Sequence, residues 1–248
     1  DQQTRWSINR SLKYPMHVKT LEKKDFYLFK DMLDATSKRR HFDSYPLSYF
    51  EDMHDLFGKD TIELVMACLN VEELKESLTK ERQDYIDEKT EIEKKLEELP
   101  NSKKFTKKLK VAQEGIDLTT KKIQEANELK KQYGSELYLA GAMFVWKNNE
   151  AIYLLSASDE NLKKFMGPYA IQWRQIQKAL DKHMTRYNFY GTSGIFDKSA
   201  DDYGVYEFKK GFNAHVEELI GDFELVLDKK RDLVYRSMKK AQAVLNKG

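Results

Sequence analysis

The chain reads as an α/β (α+β) domain interrupted by a long antiparallel two-helix arm, and three features of the sequence predict this. Aromatic and β-branched runs alternate with helical spacing on both sides of a central stretch. That stretch, from Glu72 to Gln132, has one glycine (Gly115), one proline (Pro100) and dense Glu and Lys. It also lies between two strand-like runs, Ile62 to Val71 and Leu137 to Trp146, so the flanking parts close into one domain around it. Residues 1–71 and 133–248 are therefore assigned to one domain and 72–132 to the arm.

In chain order, a basic amphipathic helix starts the sequence, with Trp6, Ile8 and Leu12 as its apolar face. An extended piece, Met16 to Leu21, precedes a helix carrying Phe26, Phe29, Met32 and Leu33. A helix from Ser48 to Leu56 then leads through Gly58 into the Ile62 strand. In the arm, Leu78, Tyr85, Ile92 and Leu99 recur every seven residues, and Leu109, Ile116 and Ile123 do so again after Pro100-Asn-Ser102. The first series is acid-rich and the second lysine-rich, which favours pairing of the two within one chain.

Beyond Gly134, strands at Leu137 to Trp146 and Ala151 to Leu155 flank the turn Lys147-Asn-Asn149. A helix from Pro168 to His183 is expected to turn Ile171, Ile176, Ala179 and Leu180 inward. An aromatic strand from Arg186, a loop from Gly191 to Asp202, a short helix at Tyr206 to Phe212, a strand from Val216 to Leu227 and a basic helix from Lys230 complete the reading.

Composition excludes several classes of function. A net charge of +2 argues against a strongly electrostatic nucleic-acid binder unless charge is segregated. The single cysteine, Cys68, lies in an apolar run, so an internal disulfide and a thiol-metal cluster are excluded and a buried inert thiol is expected. The five histidines stand at no metal-ligand spacing, and no P-loop, Gly-x-Ser-x-Gly elbow or Gly-x-Gly-x-x-Gly follows a strand. No apolar run is long enough to span a bilayer. A cytoplasmic protein is expected, and a chain that begins at Asp1 reads as a fragment of a longer one.

The segment Arg186-Tyr-Asn-Phe-Tyr-Gly-Thr-Ser-Gly194, followed by Phe208-Lys-Lys-Gly-Phe-Asn213, reads as a strand end opening onto a cleft, with a lysine pair returned to it. A core strand beside a solvated lysine pair is the competing reading. The arm-tip lysines Lys103, Lys104, Lys107, Lys108 and Lys110 form a concentrated positive patch, either a solvated face or a contact for a phosphate backbone. The terminal helix sets Arg231, Arg236, Lys239 and Lys240 opposite Leu233, Val234, Met238 and Val244. It fits ordinary packing or peripheral contact with an anionic membrane face.

With Thr4-Arg-Trp-Ser-Ile-Asn9, Lys38-Arg-Arg-His-Phe42, Phe165-Met-Gly-Pro-Tyr169, Asp202-Tyr-Gly-Val205 and Ile220-Gly-Asp-Phe223, these motifs resemble the Fem family of peptidoglycan aminoacyltransferases over essentially the whole chain. The resemblance implies an acetyltransferase-like (GNAT-like) domain with a coiled-coil arm, a first such domain lying outside this chain, and a homo- or hetero-oligomer with related transferases. It implies transfer of an aminoacyl group, usually glycine, from aminoacyl-tRNA to a lipid-linked peptidoglycan precursor at the inner face of the membrane. No metal or nucleotide cofactor is implied. By the same resemblance Lys209 is the positive group for the oxyanion or for tRNA phosphate, with Phe208 packed beside it. Arg39, Tyr153 and Tyr190 become cleft residues and Arg5 a phosphate contact. His41 stands where the family has glycine. The alternative is an adaptor that binds RNA or protein through the arm, its acyltransferase-like body inert.

Overall fold

A computed structural model describes residues 1–200, 202–221 and 223–245. Asp1–Ala214 forms one compact unit and the segment from His215 onward a second. The first unit is built on a five-stranded sheet in the order β1-β2-β3-β4-β5. These are Met16–Thr20, Ile62–Asn70, Glu136–Lys147, Glu150–Ser158 and Arg186–Asn188. All neighbours are antiparallel except β4 and β5, which run parallel.

Helices cover both faces. On one face α2 (Phe26–Arg40) and α3 (Leu47–Phe57) bury Phe26, Phe29, Leu33 and Phe50 against Leu64, Met66 and Cys68 of β2. On the other, α6 (Gly167–Asp181) presents Ile171 and Ala179 to Val65, Ala67, Leu139, Phe144 and Trp146. Strand β2 is thus buried on both sides, as its apolar run from Leu64 to Leu69 requires. Cys68 is buried, and burial pushes its thiol up to about 12.

Two bulges set which side chains share a face. In β3, Ala67 pairs with Ala140 while Cys68 pairs with Tyr138, so Leu139 is the extra residue and Leu139 and Ala140 both enter the α6-side core. In β4, Met143 pairs with Leu155 and Phe144 with Tyr153, leaving Leu154 unmatched. A bulge reverses strand parity locally. Tyr153 and Ser156, three residues apart, therefore stand on the same face.

Two long helices lie between β2 and β3. α4 (Val71–Glu98) begins directly at the end of β2, because the Asn70 side chain accepts from the N–H groups of Glu72 (2.9 Å) and Glu73 (3.2 Å) and caps the helix. α5 (Lys103–Tyr133) returns antiparallel: Glu72 pairs with Lys130 at 2.7 Å, the Tyr85 ring lies against Gly115, and Lys89 donates to Gln113 at 2.9 Å. Leu74, Leu78 and Ala126 anchor the base in the core, while Ile92, Ala112 and Thr119 seal the seam beyond it. At about 1.5 Å per residue the helices extend about 42–47 Å.

Three expectations fail for physical reasons, and the strand expected at Arg186 forms but is short. α1 (Gln2–Ser11) does not bury Trp6 or Leu12, which are 47% and 61% exposed. Its buried stripe is Thr4, Ser7 and Ser11, small residues that let it approach α7 (Tyr203–Gly211) so closely that a Cβ on Gly211 would lie 2.2 Å from the Thr4 hydroxyl. In α6, Gln172 and Gln175 turn inward and Leu180 outward, because polar partners on the sheet receive the glutamines. β5 is only three residues long. No strand forms over Val216 to Leu227: the described residues there are irregular and mostly exposed, with Leu219, Ile220, Phe223, Leu225 and Leu227 at least 81% accessible. Asp222 and the side chains of Lys240 and Val244 lie outside the described residues. In the second unit α8 (Lys229–Leu245) carries Leu233, Val234 and Met238 exposed.

Candidate active site

The cleft arises from the one parallel pair. β4 and β5 match from Glu150↔Arg186 to Ile152↔Asn188 and no further, whereas β4 continues to Ser158. Past Ile152 the chain after β5 diverges, and the β4 edge from Tyr153 onward has no strand on that side. A cavity of about 560 Å³ opens there, lined by Tyr153, Ser156, Ala157 and Ser158 of β4, Ala140 and Gly141 of β3, and Pro168 and Ile171 of α6. The end of α2 adds Arg39, Arg40, His41 and Phe42, and the start of α7 adds Asp202 and Val205. This size and mixed lining suit a small ligand or the end of a larger one.

Each wall has a local cause. α2 ends where His41 adopts the left-handed conformation (φ +56°) and its N–H bonds back to Ser37. That conformation favours glycine. The turn swings Arg39 and Arg40 to the cavity, where Arg39 donates to the Ser158 carbonyl at 3.4 Å. Tyr153 reaches the cavity because of the β4 bulge. Burial pushes its phenol up, opposed by hydrogen bonds with Ser156 and Gln172, and Gln172 in turn accepts from the Tyr187 hydroxyl at 2.6 Å.

The opening loop and α7 carry the lysine. Lys209 donates to the Gly191 carbonyl, and Asp202 accepts from the Ser193 N–H (3.2 Å) and hydroxyl (2.9 Å). Burial holds the Lys209 ammonium below the usual lysine range, and the Asp202 charge partly offsets this. Hydrogen bonds from Ser193 hold the Asp202 carboxyl below its usual range. Phe208 is half-buried in an aromatic series, 5.1 Å from Tyr169 and 5.3 Å from Phe212, which continues through Phe189 (5.5 Å) to Tyr153 (6.2 Å). Tyr190, next to Gly191, is 59% exposed with φ +63°, held by its N–H to the Asn188 side chain at 2.7 Å.

Of the residues expected to form the site, Arg39 and Tyr153 line the cavity, Lys209 is tied to its entrance loop, and Phe208 packs in the wall behind. Arg5 lies exposed on α1 and Tyr190 on the loop, neither lining the cavity. The arm lysines Lys103, Lys104, Lys107, Lys108 and Lys110 are all exposed, with Lys110 3.8 Å from Glu114.

Sequence reasoning held Ser193 and Asp202 within its motifs but gave them no role, and it missed the serines of β4. It also missed Glu63, a 5%-exposed carboxylate on β2. Glu63 accepts from Lys178 (2.6 Å), Trp146 (2.9 Å), Thr20 (2.6 Å) and Gln175 (3.4 Å). Its signal was available: one Glu inside an otherwise apolar strand must have a buried partner. Among the described residues no group of His, Cys, Asp and Glu is placed to hold a metal ion, and no helix is long and apolar enough to cross a membrane.

The fold and cleft define an α/β protein whose site lies where two parallel strands separate. The chain belongs to the FemAB family, whose pattern it matches over residues 1–241. It is 32% identical over 223 residues to aminoacyltransferase FemA of Staphylococcus epidermidis, covering 90% of this chain and 53% of that protein. It is 33% identical over 247 residues to aminoacyltransferase FemB of the same species, covering 100% and 58%. The crystal structure of FemX matches with a TM-score of 0.75 at 24% identity, over 85% of this chain and 53% of that one, which shows a shared fold. The chain spans about half the length of the curated relatives it matches.

Proposed function

We propose that the protein transfers an aminoacyl group, glycine by resemblance, from aminoacyl-tRNA to an amine of a lipid-linked peptidoglycan precursor, in the cytoplasm at the membrane face. The observation that carries this reading is the cleft at the β4–β5 divergence, lined by Arg39, Tyr153 and Asp202, with Lys209 on the same helix as Asp202 and bound to the neighbouring loop, in a chain about a third identical to two proteins named aminoacyltransferases. On this reading the domain is acetyltransferase-like, and a further domain and related transferases are its partners.

The chemistry follows from the groups present. A neutral amine attacks the ester carbonyl, and the tetrahedral intermediate places negative charge on the former carbonyl oxygen. The Lys209 ammonium, withdrawn from water and aimed into the entrance loop, is suited to stabilise that charge. Collapse expels the ribose oxygen, which takes up a proton, while the nitrogen loses one and the amide forms. The ester is already activated, so the step needs no nucleotide cofactor. Arg39 and Arg40 are suited to phosphate or carboxylate. The hairpin, read as a coiled-coil arm, offers its exposed tip lysines to the tRNA backbone.

The test is transfer of labelled glycine from glycyl-tRNA to the lipid-linked precursor by the full-length protein. Lys209→Ala is expected to lower the rate about 100- to 1,000-fold, the effect of losing one oxyanion donor; unchanged turnover rejects the role of Lys209. Neutralising the five arm-tip lysines is expected to weaken tRNA binding in a gel shift and flatten its salt dependence. Unchanged binding leaves the arm as a protein-contact element.

A further inference from the structure

We propose that Asp202 binds the α-ammonium of the aminoacyl donor and so aims the donor's ester carbonyl at Lys209. The inference rests on the aminoacyl-transfer reading and deepens it, by giving a role to a cavity carboxylate that the family pattern leaves unassigned.

Three observations place the two head groups together. Asp202 lines the cavity, and its carbonyl accepts the first bonds of α7, from Val205 and Tyr206. Lys209 lies seven residues on, about two helical turns, so it shares a face with Asp202 and with the cavity-lining Val205. Both head groups also grip one short stretch of the loop at its two ends: Lys209 holds the Gly191 carbonyl and Asp202 the Ser193 N–H and hydroxyl. The carboxylate is thereby oriented, while its roughly four lone-pair sites are not all used. An aminoacyl ester carries its ammonium and its carbonyl one carbon apart, so a carboxylate beside an ammonium matches it group for group.

The alternative amine, that of the acceptor, fits worse. A carboxylate beside an amine stabilises its protonated form, and the acceptor must lose that proton to attack. The donor gains from staying charged, because its ammonium draws electrons from the ester carbonyl and cannot itself act as a nucleophile.

The experiment uses two stable donor analogues, 3′-glycylamino-3′-deoxyadenosine and its N-acetyl derivative, titrated calorimetrically into the full-length protein. The wild-type protein is expected to prefer the free amine by about 10- to 100-fold, the scale of one charge-assisted hydrogen bond. Asp202→Asn is expected to abolish the preference, and Asp202→Glu to retain most of it. Ser193→Ala, which loosens the loop without removing the charge, is expected to weaken both analogues alike. Equal wild-type affinity for the two analogues, or a preference that survives Asp202→Asn, overturns the assignment of Asp202 alone. Binding of neither analogue by the wild type overturns the aminoacyl-donor reading with it.

Discussion

Glu63 and Lys209 are both charged side chains withdrawn from water, and the contrast between them separates what holds this domain together from what it does. Glu63 sits under α6 with four donors converging on it. Burial pushes its carboxyl up, but hydrogen bonds from Lys178, Thr20 and Trp146 outweigh that and leave it below the usual carboxylate range. Lys209 has one backbone carbonyl and a nearby carboxylate, and burial prevails, leaving it below the usual lysine range. A buried charge whose partners are complete supports structure. One left with fewer partners, beside a cavity, is on the proposed reading available to a ligand's charge.

The largest effect expected at the Glu63 end is on stability. Lys178→Met leaves a buried carboxylate short of its cation. It should cost about 2–3 kcal/mol by denaturant titration, less than the 3–5 kcal/mol of a fully buried pair, because Lys178 remains about a third exposed. Transfer per folded molecule should be unchanged; a loss of activity at full folding would join the two ends and break the contrast.

The two charges also predict opposite pH dependences. Glu63 is lowered, so its contribution is present above the ordinary carboxylate range and is lost as pH falls through its folded value. Lys209 is lowered as well, but as a cation. The unfolded chain then holds more protons in the window between its folded value and the ordinary 10.5, so stability rises with pH there. Glu63→Gln should remove the acid-side slope and Lys209→Met the alkaline-side rise, both measurable by thermal melts across pH.

Asp202→Asn removes the charge that offsets burial at Lys209. It should move the alkaline fall in transfer rate to lower pH, read from the pH–rate profile. The smallest effect is expected at the cavity wall: His41→Gly relieves the left-handed conformation and should stabilise by about 0.5–1 kcal/mol. A destabilisation there would mean the imidazole itself holds the end of α2.

Much of this was legible in the sequence wherever one period dominated. The arm, β2, β3 and α2 follow their apolar spacing, and the arm's helices turn at Pro100–Ser102 as read. The failures share a cause. α1 buries small polar residues and α6 buries two glutamines, because the neighbouring element supplies close contact or a hydrogen bond that no local pattern records. The apolar run from Val216 resembled a strand, yet residue type alone supplies no pairing partner. At the site, Arg39, Tyr153 and Lys209 were picked out by resemblance, whereas Asp202, Ser156 and Ser158 become visible only once the β4 bulge and the loop geometry bring them to the cavity.

The contrast between the two buried charges is tested most directly by measuring Lys178→Met and Lys209→Met side by side, each for unfolding free energy and for single-turnover glycyl transfer. Lys178→Met is expected to lose stability and keep its rate, and Lys209→Met to keep or gain stability and lose transfer about 100-fold or more. A Lys209→Met protein that unfolds more readily while its folded fraction still transfers at the wild-type rate would contradict the account.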